Sequence, residues 1–239
     1  MKLLPQFALG VCLLWSTTGL ADNDAPKEVL RMGISGEFKV LYQGYLRFTQ
    51  QLFKELGWEL VPVELPTART VYAANSGELD GDLFRVRQTA EQYPNLILVP
   101  TSFYTQQFFL YVFPEAQCPS PDHLEQIKMG RLLGAVVFDY FPEEIRRNLI
   151  DVPSLQSYLN MLGAGRLDAI PLSTELYNAL HYAKGMTLKR CDDLAIFEST
   201  VHIFLHRKHE DKVAELDRLL QAHQKELESI TIYEGLMKK

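Results

Sequence analysis

Apolar residues in the first half of the chain recur with two periods, which predict alternating strands and helices. Short apolar runs bounded by turn residues predict strands at residues 29–35 and 58–65, just after Asp80, at 96–99 and at 107–113. Helical spacing predicts a helix from residue 42 to 56 that ends at Gly57, and a second helix from about 67 to 76. This order favours a largely parallel sheet with helices on both faces.

The pattern restarts after a loop rich in structure-breaking residues, and this restart predicts a second lobe. Residues 114–122 read PEAQCPSPD and contain three prolines. Beyond the loop, the apolar pattern predicts a strand at 132–138, helices at 142–149 and 155–162, a strand at 168–172, a helix at 174–183, a strand at 197–205 and a final amphipathic helix.

Two nearly identical phrases, NSGELDGDLF at 75–84 and GAGRLDAIPL at 163–172, occur once in each half. In both, Gly is followed by a charged residue, Leu, Asp, a small residue and an apolar run. Each phrase predicts a helix that ends at Gly, where left-handed geometry costs little, and a Leu-Asp turn into a core strand. Two lobes built on one plan would each need this junction; chance similarity is the alternative.

The N-terminus has the pattern of a secretory signal peptide. Lys2 precedes an apolar run at 7–15, and Gly19 and Ala21 occupy the small-residue positions of a cleavage site. We therefore predict that residues 1–21 are removed and that the mature chain is periplasmic. The rest of the chain contains no apolar stretch of membrane-spanning length.

Charge and cysteine content narrow the classes of function. The chain has 239 residues, a formal net charge of −6 and no run of Lys or Arg, which argues against binding to nucleic acid or to an anionic membrane. Cys118 and Cys191 remain after signal cleavage, and in an oxidising compartment such a pair predicts one structural disulfide. Two independent buried thiols are the alternative.

An ordered set of segments carries a family resemblance: LRMGIS, ANSGELDG, PNLILVPTSFY, GAGRLDAI and HIFLHRKHEDKVAELDRLL. Together they resemble the family 3 extracellular solute-binding proteins, which have the type 2 periplasmic binding-protein fold. The resemblance implies a monomeric, two-lobed α/β protein whose mixed, mostly parallel sheets are joined by two crossover segments, near 108–114 and 197–201. It places lobe 1 at 22–113 and 200–239, lobe 2 at 114–199, and the two cysteines just inside the ends of lobe 2.

The chain departs from the amino-acid binders of that family at two positions. Those proteins usually carry an Arg shortly before the segment that here reads PTSFY, and EQYPNLILVPTSFY contains none. They also usually carry an Asp soon after the second phrase, at a position that falls on or near Ser173 here. Both differences weaken an amino-acid assignment, because a fold can be inherited while its ligand changes.

Polar residues that come after predicted strands are the candidates for ligand contact, because open α/β sheets bind ligands beyond the carboxyl ends of their strands. These candidates are Glu37, Arg69, Arg85, Thr101, Ser102, Tyr104, Asp139, Tyr140, Ser173 and Glu175. Arg69 and Arg85 are the strongest, because related sequences resemble the pattern R…G..DG…R and a guanidinium is a rigid fork of donors for carboxylate oxygens. The alternatives are surface arginines paired with acids, and tyrosines that fill the core.

No metal or cofactor is expected. His202 and His206 are four residues apart on a predicted strand and therefore lie roughly 13 Å from each other, too far to chelate one ion. The sequence contains no Gly-rich phosphate loop and no GxSxG motif.

The resulting hypothesis is a non-enzymatic periplasmic protein that closes on a small polar, anionic solute and delivers it to an ABC importer. Two alternatives remain at this point. One is a stand-alone sensor or interaction module on the same fold. The other is a periplasmic dehydratase or lyase of small carboxylates in which Glu175 or a histidine acts as acid or base.

Overall fold

The structure is a computed structural model and describes residues 28–36, 38–39, 41–133 and 135–230. The predicted signal peptide at 1–21 and the candidate residue Glu37 lie outside the described residues. Within the described part of the chain, none of the helices combines the length and the apolar character that a membrane crossing requires.

Strands and helices alternate along the chain, as the apolar pattern predicts. The strands are β1 Glu28–Ser35, β2 Trp58–Leu65, β3 Gly81–Val86, β4 Leu96–Leu98, β5 Tyr104–Val112, β6 Met129–Leu132, β7 Leu149–Val152, β8 Ile170–Ser173 and β9 Lys189–His206. The helices are α1 Gln43–Glu55, α2 Thr67–Asn75, α3 Thr89–Gln92, α4 Glu143–Arg146, α5 Leu155–Gly163, α6 Thr174–Lys184, α7 Glu210–Ala222 and α8 Gln224–Ser229.

The main sheet has the strand order β2-β1-β3-β9-β5-β8, and β4 also pairs with β9. Strand β1 pairs in parallel with β2 and β3, whereas β9 pairs antiparallel with β3, β4 and β5, and β5 antiparallel with β8. Strands β6 and β7 form a separate parallel pair. The sheet is therefore mixed, with parallel pairing among β1–β3 and antiparallel pairing along the long strands β5 and β9.

Strands β5 and β9 run through two separate hydrophobic cores. Tyr104 and Val201 belong to the core packed around β1–β3, α1 and α7, which we call the first lobe. Phe108 and Ile196, farther along the same strands, belong to the core packed around β6 and α4 in what we call the second lobe. The chain thus crosses between lobes twice, through two paired strands. The boundaries of 22–113 with 200–239 and of 114–199 remain predictions.

The two similar phrases form the same junction in the two lobes. Asp80 donates its N–H to the carbonyl of Arg31 at 2.8 Å and accepts the N–H of that residue at Oδ2 at 2.7 Å. Asp168 makes the same two hydrogen bonds with Lys128, both at 2.9 Å. In each phrase the glycine before Leu-Asp has a positive φ. The two similar sequences therefore form the same helix-to-strand junction in each lobe.

The region between residues 129 and 152 differs from the sequence prediction. The strand expected at 132–138 lies earlier, as β6, and residues 136–140 form a 3₁₀ helix. The helix expected at 142–149 is the single turn α4, because Leu149 already begins β7. An apolar run of this length has no period that separates a strand from a short helix. Here the run turns away from β6 and lines the space between the lobes.

The predicted disulfide is confirmed. Cys118 and Cys191 are bonded at an S–S distance of 2.08 Å, with their Cα atoms 5.6 Å apart. The bond joins the proline-rich loop to β9 within the second lobe.

Candidate functional site

A cavity of ≈ 90 Å³ lies between the two lobes. The first lobe lines it with Ser35, Phe38, Tyr42, Thr67, Phe84 and Arg85. The second lobe lines it with Ala135, Val136, Val137, Phe138, Ser173 and Leu176. Gln106, on the crossover strand β5, lines the cavity between the two sets. Both lobes and the crossover strand β5 therefore contribute to one cavity.

A β-bulge in β3 shapes the first-lobe wall of the cavity. The register of β3 against β9 shifts between Asp82 and Arg85, and Phe84, within the shift, has a φ of 59°. A bulky residue in this left-handed region costs about 1–3 kcal/mol and persists only where its surroundings hold it. The Phe84 ring is held by a stack on Tyr42, with centroids 4.9 Å apart. Bulges of this kind re-aim the next side chain, which here is Arg85.

The Arg85 guanidinium is buried and fixed by hydrogen bonds on one side. Its Nε donates to Oδ2 of Asp82 at 2.7 Å, and its Nη2 donates to the carbonyl of Thr67 at 2.9 Å and to Oγ1 of Thr70. Nη1 has no hydrogen-bond partner among the described residues, although the side chain is only 7% exposed and lines the cavity. The arrangement holds one donor group of a rigid cation at the cavity wall.

Asp82 is the counter-ion of Arg85 and is completely buried. Burial raises the pKa of its carboxyl group to about 6, although the neighbouring Arg85 charge lowers it. Its Oδ1 has no hydrogen-bond partner in the described part of the chain. Desolvating such a pair costs about as much as its attraction returns, so the pair is better explained by the positioning of Arg85 than by stability.

The second lobe presents the N-terminus of α6 to the cavity. Ser173 caps this helix, because its Oγ accepts the N–H of Leu176 at 3.1 Å, and both residues line the cavity. A helix N-terminus carries a partial positive charge and attracts anions. The cavity therefore has the cationic Arg85 on one wall and a helix N-terminus, with Glu175 in its first turn, on the other.

Glu175 lies in the first turn of α6, close to a tyrosine cluster of the first lobe formed by Tyr42, Tyr45 and Tyr104. The Tyr45 and Tyr104 rings stack with centroids 5.4 Å apart, and the hydroxyl of Tyr104 lies 3.5 Å from that of Tyr42. Burial raises the pKa of Glu175, whose Oε2 is buried without a hydrogen-bond partner among the described residues. Burial, together with the negative charge of Glu175, raises the pKa of Tyr45 to about 12. Glu175 therefore faces the opposite lobe.

The other first-lobe candidates lie away from the cavity lining. Arg69 is exposed in the first turn of α2. Thr101 donates its N–H to Oδ1 of Asp217 at 2.6 Å and is thus held against α7. Ser102, the next residue, is half-buried and does not line the cavity. The structure brings Arg85 and Ser173 to the cavity and leaves these three residues outside its lining.

The second-lobe candidates Asp139 and Tyr140 come directly after the residues that line the cavity. Oδ1 of Asp139 accepts from Nη1 of Arg131 at 3.1 Å, an ion pair within the second lobe. The Tyr140 hydroxyl and Oγ1 of Thr89, from the first lobe, are both buried without hydrogen-bond partners in the described part of the chain. Burial raises the pKa of Tyr140 to about 12, and the nearby charge of Asp139 adds to the rise.

Several cavity residues were not among the sequence candidates. Ser35 ends β1 and Thr67 begins α2, so the rule of polar residues near strand ends could have found both. Their hydroxyl groups lie 2.5 Å apart. The apolar residues at 135–138 carried no signal, because an apolar run that lines a cavity looks like one that fills a core.

No group of three or more His, Cys, Asp or Glu side chains within the described ranges could hold a metal ion. Both ring nitrogens of His202 are occupied, Nδ1 by the carbonyl of Val99 at 2.9 Å and Nε2 by Oγ1 of Thr200 at 2.7 Å. His202 is thus a buried structural histidine.

Solved structures with the same architecture cover almost the whole chain. The amino acid ABC transporter substrate-binding protein AbpA from Streptococcus pneumoniae, bound to L-arginine, matches with a TM-score of 0.72 at 16% identity, over 89% of this chain and 98% of that one. The chain has the type 2 periplasmic binding-protein fold. The predicted α/β class with two lobes is therefore confirmed, and the family resemblance is confirmed at the level of the fold.

Two further structures share the periplasmic binding-protein fold. A putative L-cystine ABC transporter protein from Listeria monocytogenes matches with a TM-score of 0.69 at 14% identity, over 87% of this chain and 98% of that one. The AvGluR1 ligand-binding domain in complex with glutamate matches with a TM-score of 0.68 at 15% identity, over 89% and 96%. No protein-family model and no curated protein sequence matches the chain.

Proposed function

We propose that the chain is an exported solute-binding protein that closes its lobes on a small solute with an anionic group and delivers it to an ABC importer. The observation that carries the proposal is the buried Arg85, held by three hydrogen bonds at a cavity lined by both lobes. The fold neighbours support it, because they include substrate-binding proteins of amino acid ABC transporters.

The proposed mechanism is a hinge motion about β5 and β9. An anionic group held by Arg85 in the first lobe would also meet the N-terminus of α6 in the second lobe. Because both contacts exist together only when the lobes are closed, the solute would bind the closed form more tightly and shift the population towards it. The importer would then recognise the lobe surfaces on either side of the closed cleft.

The arginine can anchor the solute without supplying all of the affinity. A hydrogen bond to a charged group contributes roughly 1.5–3 kcal/mol, whereas micromolar binding requires about 8 kcal/mol. The remainder has to come from the rest of the cavity. Among the other predicted ligand contacts, Ser173 fits this site directly. Glu37, Arg69, Thr101, Ser102, Tyr104, Asp139, Tyr140 and Glu175 remain predictions.

A thermal-shift screen of the mature protein against small carboxylates, phosphates, sugars and amino acids tests the proposal. We expect stabilisation by one class of anionic solute, and we expect no such stabilisation in a variant that neutralises the buried pair, Asp82→Asn with Arg85→Gln. Arg87→Gln is the matched control, because Arg87 is exposed and lies two residues farther along. If no compound in the library stabilised the protein, this would contradict solute binding and would favour the interaction-module alternative.

The exported location has its own test. We expect the intact mass of protein isolated from a periplasmic extract to match a chain that begins at Asp22. An uncleaved chain in the cytoplasmic fraction would contradict export.

A further inference from the structure

The cavity between the lobes is apolar everywhere except at Arg85, the proposed anchor for an anionic group, and at a few neutral hydroxyl or amide groups. Six side chains form an apolar belt: Phe84, Phe108, Val136, Val137, Phe138 and Leu176. They come from both lobes and from the crossover strand β5. A solute that fills the cavity therefore has to place most of its surface against hydrocarbon.

Arg85 is the only charged side chain among the described residues that line this cavity. The polar lining that accompanies it is neutral and consists of Ser35, Tyr42, Thr67, Gln106, Tyr158 and Ser173. A charged group on a solute that lay against the belt would lose its water without gaining a partner, at a cost far above that of an apolar group. The lining thus accepts one anionic group at Arg85 and an uncharged body beside the belt.

The volume of the cavity limits the size of that body. The cavity measures ≈ 90 Å³. An engineered protein cavity that holds benzene measures about 150 Å³. The space between the lobes is smaller, and the part of a solute that lies within it suits a body of about two to four carbon atoms next to the anionic group.

We infer that the solute is a carboxylate with a short aliphatic body, of about three to five carbons in all, and this inference rests on the solute-binding function proposed above. The class contains simple acids such as butyrate and isovalerate. Aliphatic α-amino acids such as L-valine also offer a carboxylate for Arg85 and hydrocarbon for the belt, but their ammonium group would meet no anionic side chain among the described residues of the lining, so they form the contrast arm of the test.

Two homologous series of ligands, together called the ligand ladder, test the inference on the wild-type mature protein by isothermal titration calorimetry. Acetate, propionate, butyrate, isovalerate, hexanoate and octanoate form one arm, and glycine, L-alanine, L-valine and L-leucine form the other. Burial of a methylene group corresponds to about a fourfold gain in affinity. We expect this gain with each added carbon in the arm of simple acids, up to about five carbons, a loss of affinity for octanoate, and weaker binding of L-valine than of isovalerate.

A belt variant tests whether the hydrocarbon is recognised by the side chains named here. Val137→Thr keeps the shape of the side chain and adds a hydroxyl group. We expect it to weaken binding of the best aliphatic ligand about fivefold or more, because the hydroxyl would be buried against hydrocarbon. Binding of the shortest ligand in the same arm should change less than twofold. Val29→Thr is the control, because Val29 is 50% exposed on β1.

The outcomes separate this inference from the proposed function. If L-arginine, L-glutamate or succinate binds more tightly than every aliphatic ligand, the aliphatic class is wrong although solute binding stands. An affinity that stays flat from acetate to isovalerate, or tighter binding of L-valine or L-leucine than of every simple acid, also overturns the inference. If neither the ladder nor the wider library yields a ligand, both the inference and the proposed function fail.

Discussion

The two lobes use the same junction to enter a strand, but the two strands that begin there differ. After Asp80, the strand β3 contains a bulge, a left-handed phenylalanine and a buried ion pair that ends in Arg85. After Asp168, the strand β8 contains Pro171, Leu172 and the capping residue Ser173, with no charged side chain. The repeated phrase therefore forms the same junction in both lobes, whereas the residues after it place the charged Arg85 in the first lobe and the helix cap Ser173 in the second.

The largest expected effect comes from removal of the charge in the first lobe. Arg85→Met leaves Asp82 buried without its counter-ion, which should lower the free energy of unfolding by about 3–5 kcal/mol. Arg87→Met should change it by less than about 0.5 kcal/mol, because Arg87 is exposed. Urea denaturation of the ligand-free protein measures both. Equal stability of the two variants would show that the Asp82–Arg85 pair is not a buried structural unit.

The pH dependence of the free energy of unfolding reports the contribution of the Asp82 carboxyl group. Its folded-state pKa of about 6 lies above the ordinary value of 3.8, so the stability that it contributes is complete below pH 3.8 and is lost as pH rises through 6. Asp82→Asn removes this loss. The free energy of unfolding of Asp82→Asn minus that of the wild type should therefore rise by about 1–3 kcal/mol between pH 4 and pH 7. A difference that is flat or falls over this range would contradict the raised pKa.

The two junction aspartates should differ in how much each contributes to stability. Burial alone would raise the pKa of Asp80, but hydrogen bonds from Lys208, His209 and the Arg31 backbone lower it. Asp168 is exposed, and among the described residues its carboxylate accepts only the backbone N–H of Lys128.

We therefore expect Asp80→Ala to lower the free energy of unfolding by about 2 kcal/mol at pH 7, and Asp168→Ala to lower it by about 1 kcal/mol. Because the carboxyl pKa of Asp80 is lowered, its contribution should disappear as pH falls below its ordinary value of 3.8. Chemical denaturation at pH 7 and pH 3 measures both effects. A larger cost at Asp168 would mean that the second junction is the stronger one.

The smallest effect is expected at the helix cap of the second lobe. Ser173→Ala removes the acceptor for the N–H of Leu176 and should cost about 1 kcal/mol. Ser154→Ala, at the cap of α5, is the matched control, because its Oγ accepts the N–H of Ser157 in the same way at 3.2 Å. Both variants should lose similar stability, but Ser173→Ala alone should weaken solute binding. Equal binding by the two would remove the N-terminus of α6 from the site.

Local pattern sufficed for the elements that depend on neighbouring residues alone. The strand at 29–35 is set by its apolar run, and the ends of the helices at Gly57, Gly77 and Gly165 are set by apolar period and by glycine. Arg85 is a sequence candidate because it was expected to follow a strand, and the same rule selects Arg69; in the structure Arg85 lies within β3 and reaches the cavity through the bulge. The structure leaves Arg69 exposed in the first turn of α2, because a rule based on strand ends does not fix the direction of a helical side chain.

The features that could not be predicted depend on contacts between distant segments. The positive φ of Phe84 is held by a stack on Tyr42, which lies far away in the sequence. The burial of Asp82 depends on how α2 packs over β3. The run 132–138 was predicted as a strand because its apolar residues looked like core. In the structure, part of it is a short helix that faces the opposite lobe, a surface that exists only once both lobes are in place.

Native mass spectrometry of the protein taken gently from a periplasmic extract tests the central claim most directly. The account predicts that the wild type and Arg87→Gln carry one small anionic molecule, and that the Asp82→Asn, Arg85→Gln double variant, although folded, carries none. An empty wild-type protein, or equal retention of the molecule by the double variant, would contradict a solute anchored at Arg85 between the two lobes.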